Sequence, residues 1–170
     1  MLLPITSSST CKWSFPNPED ESVPIQPDEL HSYGELMDAI YLYNKHGKPI
    51  SYAQWLDIRF LANFVCRVWN QPDMSIWEVR GHKQNFTYSK MLLWVAVDRA
   101  LRLSEKRNFP CPNRSKWMET RDTIYEEVMQ KGFNYELNTF VQSYESNTTL
   151  DSAVLIAPVW LHSLPPLLER

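Results

Sequence analysis

The sequence predicts an all-α fold, and three observations predict it. Glycine occurs only four times in 170 residues while aromatic residues reach 13% with seven tryptophans. That composition suits packed helices and equally suits sugar-binding surfaces. Between 53 and 70 the apolar residues Ile58, Leu61, Phe64, Val65 and Val68 oppose a polar stripe of Arg59, Asn63, Arg67 and Asn70, the pattern of a helix with one solvated face. From Lys90 to Arg107 the sequence begins almost wholly apolar, Met91 through Val97, and becomes charged only at Asp98, Arg99, Arg102 and Glu105; a helix apolar on all sides is buried on all sides. Alternating outer amphipathic and inner apolar helices are satisfied by two concentric layers, by a bundle or by a helical solenoid.

The elements follow in order. Residues 1–28 mix serine, proline and acidic side chains, with Pro16, Pro18, Pro24 and Pro27 among Glu19, Asp20 and Glu21, and sustain neither helix nor strand. From about 30 to 46, Leu30, Tyr33, Met37, Ile40 and Tyr41 keep helical spacing until Gly47 and Pro49 supply a stop. The helix over 53–70 comes next. After Pro72 the segment Asp73 to Gly81 has no sustained period and reads as a connecting loop, a class of segment that often carries function. The inner helix over 90–107 ends before Pro110 and Pro112. Asn113 or Ser115 can cap the following helix, whose buried side is marked by Trp117, Ile124, Tyr125 and Val128 until Gly132. A short extended piece is expected around 139–144 and a further helix over 150–161, interrupted by Pro158. The tail of Leu164, Pro165, Pro166, Leu167 and Leu168 completes no element, so the chain is expected to stop in mid-architecture.

Bulk composition excludes several functions. With 44% hydrophobic and 22% charged residues the chain has the balance of a globular protein, and a net charge of −3 without a lysine–arginine run gives no footprint for nucleic acid. Cys11, Cys66 and Cys111 are odd in number and lack metal-like or CxxC spacing, so at least one thiol stays outside any internal disulfide and a reducing, cytoplasmic setting is expected. The N-terminus lacks a basic start followed by an apolar run, and no stretch approaches a membrane span. The sequons at Asn85, Asn113 and Asn147 are read as unglycosylated chance patterns.

One loop residue suits glycosidic chemistry. Cleavage of a glycosidic bond usually needs a protonated carboxyl to protonate the leaving oxygen and a second carboxylate to activate water or attack the anomeric carbon. Glu78 follows Ile76 and Trp77 and precedes Val79; desolvation by such neighbours raises a carboxyl toward the range of a general acid, while Arg80 pulls the other way.

Several ordered motifs then carry a resemblance. The segments Pro72–Gly81, Asn85–Lys90 and Trp94–Ala100, flanked in order by Tyr33–Ala39, Phe140–Tyr144 and Leu150–Ala153, resemble the core of glycoside hydrolase family 15, the glucoamylases, glucodextranases and bacterial-type trehalases. The resemblance runs from about 33 to 157. It implies part of an (α/α)6 toroid, the six-hairpin glycosidase architecture, acting by inversion on an α-glucoside or trehalose without a cofactor. It places the general acid at Glu78, makes Trp77 a wall of the pocket, and sets Arg80, Tyr88 and Lys90 in or near the substrate. Two departures stand out. Glu29 and His31 replace the glutamine and aspartate the family tends to carry before Tyr33, and beyond Pro158 the resemblance ends. No residue matches the family's general base.

The organisation expected is an irregular lead-in over 1–28, a partial hydrolase-like helical domain over 29–163 and a non-matching tail over 164–170. Such a partial domain is expected to be catalytically incomplete and prone to self-association. The alternative is a non-catalytic helical protein that binds carbohydrate or a partner. His31, His46, His82 and His162 lack close ligand spacing, so no metal is expected. Trp55, Trp69, Trp94, Trp117 and Trp160 are read as core anchors.

Overall fold

A computed structural model describes residues 28–77 and 81–156. The expected lead-in, apart from Asp28, and the tail over 164–170 lie outside the described residues. Four α-helices form the body: α1 (His31–His46), α2 (Tyr52–Val68), α3 (Thr87–Arg107) and α4 (Arg114–Glu127). The only strands described are β1 (Phe133–Asn134) and β2 (Thr139–Phe140), an antiparallel hairpin in which Phe133 faces Phe140. The chain is therefore all-α in character and fits a segment of a helical toroid.

The turn between α1 and α2 is built from two polar devices. Gly47 closes α1, and the buried Asn44 accepts the Ile50 backbone N–H at 3.2 Å. Ser51 and Gln54 then form a reciprocal capping box, satisfying two orphan donors at the start of α2. All five apolar residues expected on the inner face of α2 are buried, joined by Trp55, Ala62 and Cys66. On the polar stripe Arg67 and Asn70 are exposed, whereas Asn63 turns inward to accept the Trp117 indole N–H at 2.8 Å.

The third helix is the centre of the molecule. Every residue from Thr87 to Leu101 is buried, and α3 touches α1, α2 and α4. It starts three residues earlier than its apolar run suggests, because the Thr87 N–H donates to the Gln142 carbonyl at 2.9 Å and the Phe86–Ser143 bridge fixes its entry. Asp98 and Arg99, where its charged end begins, are buried, whereas Glu105, Lys106 and Arg107 are exposed. Arg99 donates to Asp38 of α1 and to Asp98, each at 2.7 Å, and lies over the Tyr41 ring. The backbone of α3 approaches α1 closely at Gly34, where an added Cβ would stand 2.2 Å from the Leu92 carbonyl oxygen.

An aromatic cluster sets the α3–α4 connection: Trp55 stacks on Phe109, meets Trp117 edge-on and donates to the Pro110 carbonyl at 3.1 Å. Trp55, Trp94 and Trp117 are core residues and Trp69 is half-buried; Trp160 lies outside the described residues. Asn113 takes the N-cap position of α4, but its side chain donates to Asn63 instead of capping. The last turn widens into a π-helix over Val128–Gly132. In the region expected as a helix over 150–161, the described residues form a five-residue 3-10 helix, Ser152–Ile156. Asp151 caps it through the Ala153 N–H, and Leu155 and Ile156 are exposed.

Candidate active site

The loop between α2 and α3 is tied at a neck and pinned along its length. Asp73 and Gln84 exchange both backbone hydrogen bonds at 3.0 Å, closing residues 74–83 into one excursion. The near side is fastened to the entry of α1: the Leu30 N–H donates to the Asp73 carboxylate at 3.3 Å, the Met74 N–H to the Asp28 carbonyl at 2.9 Å, and Lys83 pairs with Asp28 at 2.6 Å. The far side is fastened beyond β2, where Ser143 donates its hydroxyl to Gln84 at 2.9 Å. Ser75 is fully buried with a left-handed φ of 58°, a conformation that a non-glycine residue holds only when its surroundings over-determine it.

Glu78 and Arg80 lie outside the described residues. Their loop neighbours do not. Ile76 and Trp77 are exposed, at 41% and 56%. Trp77 nonetheless has a fixed partner, its indole N–H donating to Asp151 at 3.0 and 3.1 Å to the two carboxylate oxygens.

Tyr88 stands in the first turn of α3 and donates its hydroxyl to Glu35 of α1 at 3.0 Å. Burial raises its phenol far above the ordinary range, and the Glu35 and Asp151 carboxylates push the same way, so Tyr88 remains a protonated donor. His31 packs its ring beside that of Tyr88, with centroids 6.0 Å apart. Glu35, Tyr88 and Asp151 thus form one electrostatic neighbourhood, and Trp77 joins it through Asp151.

Lys90 faces elsewhere. It is 1% exposed, and its ammonium donates to the carbonyls of Trp69 and Gln71 at 2.7 and 2.8 Å. The resemblance sets Lys90 in or near the substrate; the structure turns its charge toward the end of α2 and the approach to the loop neck. Burial pulls its pKa down to about 8, against the attraction of Asp73, Glu127 and Glu145. The Asp73 carboxyl is pushed above its usual range by burial, with Ser89, Lys90, His31 and the Leu30 N–H acting in the other direction. On the opposite flank, burial disfavours the Glu145 charge, but the side-chain and backbone donors of Asn85 prevail and hold its carboxyl below the usual range.

Glu35, Gln142 and Asp151 were not singled out by residue pattern as members of this site. All three sit inside motifs that carry the resemblance, yet their contacts span distances in sequence that no local pattern reports. Among the described residues no cluster of histidine, cysteine and carboxylate side chains could hold a metal ion, and no helix is long and apolar enough to cross a membrane.

An exposed aromatic ring, two carboxylates and a protonated phenol beside a pinned loop suit a polyhydroxylated ligand, because carboxylates accept from sugar hydroxyls and indole faces cover sugar rings. Comparison with known proteins points the same way. Residues 17–165 match the sequence model of glycosyl hydrolases family 15. A trehalase of Thermoplasma acidophilum is 31% identical over 131 residues, covering 77% of this chain and 22% of that protein. A trehalase of Mycobacterium tuberculosis is 31% identical over 134 residues, 79% of this chain and 19% of that protein. Trehalase 1 of Sulfolobus acidocaldarius is 29% identical over 134 residues, 78% of this chain and 22% of that protein. The chain therefore spans only about a fifth of the length of these relatives. No solved structure matches it at a significant level. The family match covers most of the sequence, and the chain belongs to glycosyl hydrolases family 15.

Proposed function

We propose that this chain carries the general acid of an inverting α-glucoside hydrolase, with Glu78 as the proton donor and trehalose or a related α-glucoside as substrate. One observation carries the reading. Trp77, the residue before Glu78 in sequence, stands in a loop closed by the Asp73–Gln84 bridge and donates to Asp151, in a chain of this family. The relatives named as trehalases support the choice of substrate.

In this reading the Glu78 carboxyl gives its proton to the glycosidic oxygen as the bond to the anomeric carbon breaks. A second carboxylate takes a proton from the water that attacks the opposite face of the sugar, at a carboxyl separation of about 6.5–9.5 Å. Trp77 offers a ring face to the sugar, and Arg80, Tyr88, Glu35 and Asp151 border it. Lys90 acts from beneath, holding the backbone that leads into the loop. We place the general base in the part of the relatives' length that this chain does not span, so residues 1–170 by themselves should not turn over trehalose, maltose or soluble starch. Exposed apolar side chains such as Leu36, Leu42 and Tyr43 on α1 should make the isolated chain prone to self-association.

The deciding experiment is Glu78→Gln in any complete enzyme that contains this segment. The amide keeps the shape but donates no acid proton, so trehalose turnover should fall by roughly two to four orders of magnitude. Substrates with a good leaving group should suffer less. Near-normal turnover of trehalose would remove Glu78 from the role. Glucose release by the isolated 170-residue chain, following its monomer peak and lost in Glu78→Gln, would place the base within these residues.

A further inference from the structure

One side of α2 and the start of α4 enclose a cavity that shares no residue with the loop site. It has a volume of about 190 Å³ and is lined by Phe60, Asn63, Arg67, Asn113 and Lys116. Phe60, Asn63 and Arg67 follow one another at helical spacing and share one side of α2. Asn113 and Lys116 come from the N-cap and the first turn of α4.

The two amides are locked in orientation. The Trp117 indole N–H, which can only donate, meets the Asn63 side-chain oxygen at 2.8 Å, and the Asn113 side-chain nitrogen meets the same oxygen at 3.0 Å. With that oxygen taken twice, what Asn63 has left for a ligand is its amide N–H groups. Asn113, held through its nitrogen, keeps its carbonyl oxygen. Neither of these remaining atoms has a hydrogen-bond partner among the described residues.

Charge sets the preference. Arg67 and Lys116 are exposed, and among the described residues neither has a carboxylate within ion-pair distance. No acidic side chain lines the cavity, and the carboxylate of Glu105, at the neighbouring end of α3, is taken by Arg114. Two cations lining one cavity repel each other; an anion between them removes that repulsion and accepts charge-assisted hydrogen bonds from both. Arg67, in the last turn of α2, also complements the negative end of that helix, but that role calls for neither Lys116 nor a fixed amide beside it.

Size and lining then narrow the ligand. At about 30 Å³ per water, the cavity has room for about six waters, more than a bare tetrahedral oxyanion fills. Phe60 supplies an apolar ring for a sugar ring to cover, and the Asn113 oxygen accepts from a sugar hydroxyl. We propose that the cavity between α2 and α4 binds a phosphorylated monosaccharide, with the phosphate on Arg67, Lys116 and the Asn63 amide and the sugar against Phe60. The proposal is independent of the role of Glu78.

The test is equilibrium dialysis of the 170-residue chain against radiolabelled glucose 6-phosphate at low ionic strength, a measurement that tolerates self-association. Binding should saturate with a Kd of about 1 mM or below and weaken as salt rises. Inorganic phosphate should compete about tenfold less well or worse, and glucose should not compete. Arg67→Gln and Lys116→Gln should each weaken binding by about tenfold or more, and Arg67→Lys should weaken it less. Phe60→Leu should weaken glucose 6-phosphate but not radiolabelled phosphate. Lys48→Gln, which removes an exposed charge in the turn between α1 and α2, should change nothing. Absence of saturation by about 20 mM, binding that survives Arg67→Gln combined with Lys116→Gln, or an equal loss in Lys48→Gln overturns the proposal. Inorganic phosphate bound as tightly as glucose 6-phosphate also overturns it, since the cavity would then recognise only an oxyanion.

Discussion

The ammonium of Lys90, in the first turn of α3, sits 2.7 Å from the carbonyl oxygen of Trp69, the C-cap residue of α2. A helix C-terminus concentrates unsatisfied carbonyls and partial negative charge, so the cation is received by main chain. No carboxylate within ion-pair distance of it is described.

That placement makes a stability prediction. Burial lowers the folded-state pKa to about 8 from an ordinary value of 10.5. Below about pH 8 both folded and unfolded chains hold the proton, and the folded state bears the full cost of the buried charge. Between about 8 and 10.5 the unfolded state binds more protons, so the contribution of Lys90 to stability rises with pH. Cys66 and Cys111, raised by burial, work in the opposite direction near pH 9. The quantity to measure is therefore the stability of wild type minus that of Lys90→Met, by urea unfolding at several pH values. It should increase by about 2 kcal/mol from pH 7.5 to 9.5. A flat difference would show that the buried amine titrates normally.

Lys90 also shows what sequence alone could convey. Helices were legible because burial imposes periodicity: the apolar residues expected to face inward in α2 and the apolar run of α3 are buried. The family was legible because its motifs are contiguous. Destinations of polar groups were not. Asp98 and Arg99 read only as the place where the helix becomes charged, yet both are buried in a network with Asp38. Lys90 read as a pocket residue because it lies beside the acid motif, but a helical side chain's direction depends on which neighbour covers it, and that neighbour is α2. Asp151 could be noticed as acidic, whereas its bond to Trp77 depends on the path of the whole chain.

The Asp38–Arg99 contact predicts how much the α1–α3 interface leans on charge. Arg99 keeps Asp98 when Asp38 is removed, but Asp98 is shared with Arg102 at 2.7 Å. Asp38→Ala should therefore leave a buried guanidinium only partly satisfied and cost about 2 kcal/mol, within the range for hydrogen bonds to charged groups. Urea unfolding should show a lower midpoint with an unchanged slope. A loss below about 0.5 kcal/mol would mean the network contributes no more than an exposed pair.

Hydrogen exchange should separate the enclosed helix from the hairpin. Amides from Met91 to Leu101 are helical and buried, so they should open only with the global fold. Tyr135 and Leu137, exposed at 74% and 50% in the turn between β1 and β2, should exchange orders of magnitude faster. Comparable rates in the two segments would contradict the central position of α3.

Two glycines of opposite surroundings give the sharpest comparison. At Gly34 a methyl group would stand 2.2 Å from the Leu92 carbonyl oxygen and 2.6 Å from the Leu92 Cβ, more than 1 Å inside ordinary contact with atoms that cannot turn away. Alanine would gain about 1 kcal/mol of helix propensity, but separating two packed helices to admit the methyl costs about 1–3 kcal/mol and can exceed that range when backbone is in the way. The clash should win. Gly34→Ala should lose about 2 kcal/mol net and lower Tm by several degrees. At Gly81 no atom lies within 4 Å of an added Cβ, and its φ is not positive. Gly81→Ala should leave stability unchanged or raise it by up to about 1 kcal/mol through the unfolded chain. If Gly34→Ala were as harmless as Gly81→Ala, the close approach of α1 to α3 at Leu92 would be wrong, and with it the Tyr88–Glu35 contact that depends on the same crossing.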